Sequence, residues 1–185
     1  MNPAPNLVFI GPMGAGKTSI GKRVSARLGL RFVDVDQQLE ENTGARIPLI
    51  FECEGEAGFR ARESALIGEL CAQRGVLIAT GGGAVLAEGN RRALHEHAFV
   101  VHLAIDVDRQ LRRLARDRSR PLLASGDRRA TLTALATQRD ALYAEIADLR
   151  FDPGDVGVAT AAERLCRLLQ ERWHRNANAG AEDAA

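Results

Sequence analysis

Lysine is almost missing from this sequence. Of its 25 basic residues only Lys17 and Lys22 are lysines, and the rest are arginines. Aromatic residues make up 4% of the chain, too few to grip a nucleobase acceptor by stacking. Net charge is nearly absent too: 26% of residues are charged, yet the sum is only +1. Nothing in that balance draws the chain to nucleic acid or to a membrane surface. Cys53, Cys71 and Cys166 are far apart and in no metal-ligand spacing, which reads as reduced thiols in a cytoplasmic protein. The four histidines form no ligand pattern either. No apolar run approaches the length of a membrane span. The run at Leu7 is too short for a signal peptide and lacks its basic flank. No internal repeat is evident.

What is present suits one compact domain. The chain has 185 residues, 45% of them hydrophobic, and the domain is expected to cover 1–175. The small, polar end NANAGAEDAA, 176–185, is expected to fray. Leu7 to Arg23 reads LVFIGPMGAGKTSIGKR. An apolar run ends in Gly11, and Gly11 to Thr18 matches the phosphate-loop pattern G-x-x-x-x-G-K-[ST]. Gly11, Gly14 and Gly16 let the backbone turn its N–H groups inward at a helix N-terminus, which makes a nest for phosphate. Lys17 reaches the β- and γ-phosphates and the Thr18 hydroxyl can ligate Mg²⁺. A chain that otherwise writes arginine places lysine where a compact ammonium on a flexible stem is needed.

Further elements follow in alternation. Helices are expected at Lys17 to Leu28, Gln37 to Asn42, Ile47 to Cys53, Gly55 to Arg74, Ala87 to His97, Asp106 to Leu114, Thr131 to Leu149 and Ala161 to Trp173. Strands are expected at Leu7 to Ile10, Arg31 to Asp36, Val76 to Ala79, Phe99 to Leu103 and within Gly154 to Thr160. That order implies α/β: a five-stranded parallel sheet with helices on both faces, the three-layer phosphate-loop kinase arrangement.

Five features stand out. Asp34 and Asp36 are two apart, and in an extended segment they would share a face at the strand's C-terminal end; the plain alternative is a polar strand end and a helix N-cap. Arg60 and Glu63 lie three apart on a helix and can pair, either in a site or as a solvated surface pair. Gly81, Gly82 and Gly83 follow a strand directly, an arrangement that calls for something to come very close. Arg112, Arg113, Arg116, Arg118 and Arg120 crowd one stretch that ends at Pro121. Beside a phosphate cradle it reads as a lid at about 113–128 rather than a solvated face. Arg139, by its spacing in the last long amphipathic helix, is expected to face away from Leu132, Leu135, Leu142, Tyr143 and Ile146.

Together these residues resemble the shikimate kinase family from about Leu7 to Trp173. The resemblance is carried by GPMGAGKT, by Asp34-Val-Asp36, by Phe59-Arg60-Ala-Arg62-Glu63, by Ala79-Thr80-Gly81-Gly82-Gly83, by Arg120-Pro-Leu-Leu123 and by Arg139-Asp-Ala-Leu-Tyr143. It implies an ATP-dependent phosphotransferase acting on the 3-hydroxyl of shikimate. Gly14, Ala15, Gly16, Lys17, Thr18 and Ser19 would wrap the ATP phosphates. Thr18 would hold Mg²⁺, with Asp34 reaching it through water, and Asp36 would meet the attacking hydroxyl. Arg60 and Arg139 would hold the shikimate carboxylate against the Gly82 backbone, with Glu63 orienting Arg60. Arg120 would reach the transferring phosphate. Arg113 would stack on adenine, a role that Arg112 or Arg116 could also fill. A monomer is expected. The rival readings are gluconate kinase or another small-molecule kinase, a nucleotide switch, and an arginine-rich nucleic-acid binder. The triple glycine and the paired aspartates count against the first, the absence of a guanine-specific N-K-x-D against the second, and the near-neutral net charge against the third.

Overall fold

The computed structural model describes residues 4–115 and 126–173. Arg116, Arg118 and Arg120, most of the expected lid and the tail from 176 lie outside the described residues.

The sheet grows from β1, Asn6–Ile10, whose five residues are all buried. Leu7 and Phe9 face a core shared with helices α1 (Lys17–Leu28) and α7 (Val158–Arg172). Val8 and Ile10 face the opposite core, shared with α3 (Ile47–Cys71), α4 (Glu88–His97) and α6 (Arg128–Ile146). A strand covered on both faces reads as an unbroken apolar run rather than an alternation. The other strands are β2 (Arg31–Asp34), β3 (Val76–Ala79), β4 (Ala98–Leu103) and β5 (Leu149–Phe151), in the order β2-β3-β1-β4-β5. Every pair is parallel, with Val8 opposite Ile78 on one side and Val100 on the other. All C-terminal strand ends therefore lie on one edge. The loop after β1 leaves that edge between β3 and β4, where the connections diverge, the place where such sheets bind ligands.

Two boundaries differ from the sequence reading. β2 stops at Asp34, and Asp36 lies in the first turn of α2, Val35–Thr43. The Asp34 carboxylate accepts from the N–H groups of Asp36 and Gln37 at 3.1 and 3.3 Å, so it starts the helix two residues early. The fifth strand is Leu149–Phe151, not a segment of 154–160. Asp148 pulls the chain out of α6 by pairing with Val100, its N–H donating to the Val100 carbonyl and its carboxylate accepting from the Val100 N–H. Val156, Val158 and Thr160 gave the later segment its strand-like look, but Gly157 ends the loop and α7 begins at Val158. The helices expected at Ile47 and Gly55 are both present, as the two segments of α3 on either side of a kink at Gly55, φ 69° and ψ −177°. No helix among the described residues is long and apolar enough to cross a membrane.

Candidate active site

The phosphate loop is shaped by its glycines. Gly11 has φ 135°, and a side chain there would run into the Leu103 carbonyl of β4. Gly16 takes a left-handed conformation, φ 95°, as the cap of α1 and has no side chain to close the helix. The first-turn N–H groups of α1 are thus aimed into the loop. Lys17 folds over it, donating from Nζ to the Gly11 and Pro12 carbonyls at 2.7 and 2.9 Å. Thr18 donates its hydroxyl to Asp34 Oδ2 at 2.6 Å, across from α1 to the end of β2. Ala15 is buried, and the Ser19 hydroxyl stays near the surface against the Gly16 carbonyl.

A cleft opens beside the loop. Gly14, Gly16 and Ser19 form one wall; Pro153, Val156 and Gly157, from the loop between β5 and α7, form the other. Arg113, near the end of α5 (Val107–Leu114), spans the two. It donates to the Gly14 carbonyl at 3.1 Å and to the Gly154 carbonyl at 2.7 Å. Arg112 lies 3.6 Å from exposed Asp155 instead. Between these two, Arg113 is the one at the cleft.

On the other side of the loop stands the triple glycine, and each glycine has a charged neighbour. A side chain on Gly81 would strike the carboxylates of Glu63 and Asp36, and one on Gly83 would strike the Arg60 guanidinium. Gly82 backs onto Arg139 and onto the Gly11 carbonyl and Met13 N–H of the phosphate loop. Asp36, Arg60, Glu63, Gly82 and Arg139 are therefore brought together beside the phosphate loop, although α2, α3 and α6 supply the charged residues separately.

Burial gives this group its character. Glu63 is 0% exposed and accepts from Arg60 Nη1 at 2.7 Å, so the pair is not a solvated surface contact. Burial pushes the Glu63 carboxyl above its ordinary range; Arg60 opposes that and the Asp36 charge adds to it. Arg139 sits on the buried face of α6 with Leu132, Tyr143 and Ile146, not turned away from it. The four lie at intervals of seven, four and three residues, one stripe of a helix. The expected outward turn was a misreading of that spacing. Among the described residues, Glu63 Oε1 and Arg139 Nε are the buried side-chain atoms with no hydrogen-bond partner, and both belong to this group.

Three side chains at the site had no role assigned to them from the sequence. Tyr143 donates its hydroxyl to the Gly82 carbonyl at 2.6 Å, and burial pushes its pKa up to about 12. His102, at the end of β4, is buried against the Tyr143 ring, 4.9 Å between centroids, and under Gly11. Burial, then the charges of Arg150 and Lys17, lower its pKa to about 4. Pro153 forms part of the cleft wall; the Asp152-Pro153-Gly154 turn signal after an apolar stretch could have found it.

The family model for shikimate kinase matches residues 13–170. The chain belongs to the shikimate kinase family. A shikimate kinase of Stenotrophomonas maltophilia is 51% identical over 175 residues, 95% of this chain and 97% of that protein. The structure of a shikimate kinase from Acinetobacter baumannii, in complex with shikimate, superposes with TM-score 0.87 at 39% identity, covering 92% of this chain and 95% of that one. A gluconokinase from Sinorhizobium meliloti shares the fold, with TM-score 0.54 at 17% identity over 92% of this chain and 97% of its own. The phosphate-loop kinase fold and ATP-dependent kinase chemistry follow from membership of the family, and the likeness to it is far closer than to the gluconokinase.

Proposed function

We propose that this chain transfers the terminal phosphoryl group of ATP to the 3-hydroxyl of shikimate, giving shikimate 3-phosphate and ADP. The observation that carries the reading is the company kept by Gly82. Its backbone lies against the phosphate loop and against Arg139, with Asp36, Arg60 and Glu63 around the neighbouring glycines. Two arginines beside an aspartate suit an acceptor with a carboxylate to be gripped and a hydroxyl to be activated.

Phosphoryl transfer needs alignment and charge neutralisation more than covalent help. Arg60 and Arg139 hold the carboxylate of shikimate and so fix the ring against Gly82. Asp36 accepts the proton of the attacking hydroxyl as the new O–P bond forms and the bond to ADP breaks. Lys17 leaves the loop carbonyls for the β- and γ-phosphates, and the N–H groups from Gly14 to Ser19 surround them. Arg120 adds a charge at the transferring group, and Arg113 with Pro153 flanks the adenine. The Thr18 hydroxyl and Asp34 carboxylate, in contact at 2.6 Å, are hard oxygen donors of the kind Mg²⁺ takes. Thr18 would hold the ion and Asp34 its water, and when bound it neutralises phosphate charge. The same reading has the enzyme act as a monomer in the cytoplasm.

A coupled ADP-release assay tests it, with shikimate and gluconate offered in parallel. Shikimate-dependent release is expected. Release with gluconate and none with shikimate would overturn the reading.

A further inference from the structure

Arg109 belongs to no motif of the family resemblance, yet three of its side-chain nitrogens are engaged by carboxylates. It lies on α5, one turn before Arg113, with its side chain 13% exposed. Its Nε donates to Asp106 at 2.5 Å, and its Nη1 and Nη2 donate to the two oxygens of Asp152 at 2.7 and 2.6 Å. Both carboxylates are themselves fixed. Asp106 caps α5 by accepting from the Arg109 N–H at 2.8 Å. Asp152 accepts from the Gly154 N–H at 2.8 Å. Gly154 in turn offers its carbonyl to Arg113, whose other nitrogen reaches Gly14 in the phosphate loop. These hydrogen bonds close a strap: α5, the loop after β5, Arg113, the phosphate loop.

The strap holds a wall that little else holds. β5 has three residues at the sheet edge and, among the described residues, pairs only with β4. Beyond it Asp152, Asp155 and Gly157 are exposed, while Pro153 is buried at the cleft. The Arg109 side chain does not line the cleft, so any influence on what binds there passes through Asp152. A guanidinium can bridge two carboxylates in one plane with three nitrogens; an ammonium cannot.

We propose that Arg109 is a positioning residue for the nucleotide: through Asp152 it sets the wall 152–157 at the distance from the phosphate loop that an adenine nucleotide fills. This rests on the reading of the cleft as the ATP site. The measurement is calorimetric titration of ATP into wild type, Arg109→Leu, Arg109→Lys, Asp152→Asn and the double variant Arg109→Leu/Asp152→Asn. KM for each substrate, kcat and thermal midpoint are measured in parallel. Arg109→Leu is expected to weaken ATP binding about five- to thirtyfold, the scale of charge-assisted hydrogen bonding removed from a partly exposed pair, and to raise KM for ATP alike. The KM for shikimate at saturating ATP should not follow. Arg109→Lys should not restore ATP affinity. Asp152→Asn should lose less, because it still accepts from Gly154. The double variant should be no weaker than Arg109→Leu, since both changes cut one interaction. Wild-type ATP affinity in Arg109→Leu and in Asp152→Asn would overturn the proposal, as would equal losses for ATP and shikimate that follow the thermal midpoint. Failure of wild type itself to bind ATP would overturn the reading of the cleft, and the proposal with it.

Discussion

Replacing Glu63 by Gln separates what this residue does for stability from what it does for the acceptor. The carboxylate is fully buried, with one oxygen on Arg60 Nη1 at 2.7 Å and the other without a partner. Burying a carboxylate costs free energy that one ion pair does not fully return, and the raised pKa is the sign of that cost. A carboxyl whose folded pKa lies above its unfolded value binds more protons when folded. Its contribution to stability is therefore greatest below the unfolded value of 4.5 and is lost as pH rises through the folded value. Glutamine is neutral at every pH and still offers an oxygen to Arg60. Glu63→Gln should thus melt within a few degrees of wild type at pH 7 and lose the part of the pH dependence above pH 4.5 that Glu63 supplies.

Function should respond differently. Arg60 has a second partner, exposed Glu56 at 3.2 Å. With the Glu63 charge gone, the guanidinium is free to swing toward Glu56 and away from Gly83. A misaligned charge-assisted hydrogen bond to the acceptor carboxylate is worth roughly 1.5–3 kcal/mol, which is about ten- to a hundredfold in affinity. The expected outcome is a rise of that size in KM for shikimate with KM for ATP unchanged. Steady-state kinetics with each substrate varied at saturation of the other read it directly. A variant with wild-type KM for shikimate would refute the orienting role. A large fall in melting temperature with both KM values raised together would make Glu63 a structural residue only.

Asp36→Asn should lose about 10²–10⁴-fold in kcat, as expected for a positioned general base, while Asp34→Asn should be partly rescued by added Mg²⁺; rescue of both alike in a Mg²⁺ titration would reassign Asp36 to the metal. Tyr143→Phe deletes the hydroxyl that holds the Gly82 carbonyl and should raise KM for shikimate about two- to tenfold, the scale of one hydrogen bond, with KM for ATP unmoved; unchanged kinetics would leave Tyr143 a packing residue. His102 has a folded pKa near 4 against 6.5 unfolded, so the unfolded chain binds more protons between those values, and about 3 kcal/mol of stability should be present above pH 6.5 and lost on acidification toward pH 4. His102→Gln should flatten that part of the profile of melting temperature against pH, and an unchanged profile would show that other groups govern it.

The parts of this molecule that were legible in the sequence are those set by near neighbours. The phosphate loop needs only its own glycines and the helix that follows. The buried strands announce themselves as apolar runs, and Gly81 to Gly83 declare a close approach without saying to what. The parts that were missed depend on partners far along the chain. Asp148 draws the chain into the sheet by pairing with Val100, Tyr143 reaches Gly82, and Arg109 reaches Asp152. No local rule contains those distances.

Arg139 is the instructive error. Helical periodicity places it on the stripe of Leu132, Tyr143 and Ile146, and the outward turn expected from its spacing misread that periodicity. In a purely structural helix a charge does not belong on such a stripe, because an unpaired buried charge is costly. Here the stripe is right and the cost is real: Arg139 Nε and Glu63 Oε1 are buried without partners beside the same glycine loop. A donor and an acceptor left unmet in one pocket are what a hydroxylated carboxylate such as shikimate, or the water it displaces, can satisfy. The misfit between a residue's charge and its place on an apolar stripe is thus itself a signal of function. By that criterion its place on the stripe of Leu132, Tyr143 and Ile146 makes Arg139 a candidate for the proposed acceptor pocket.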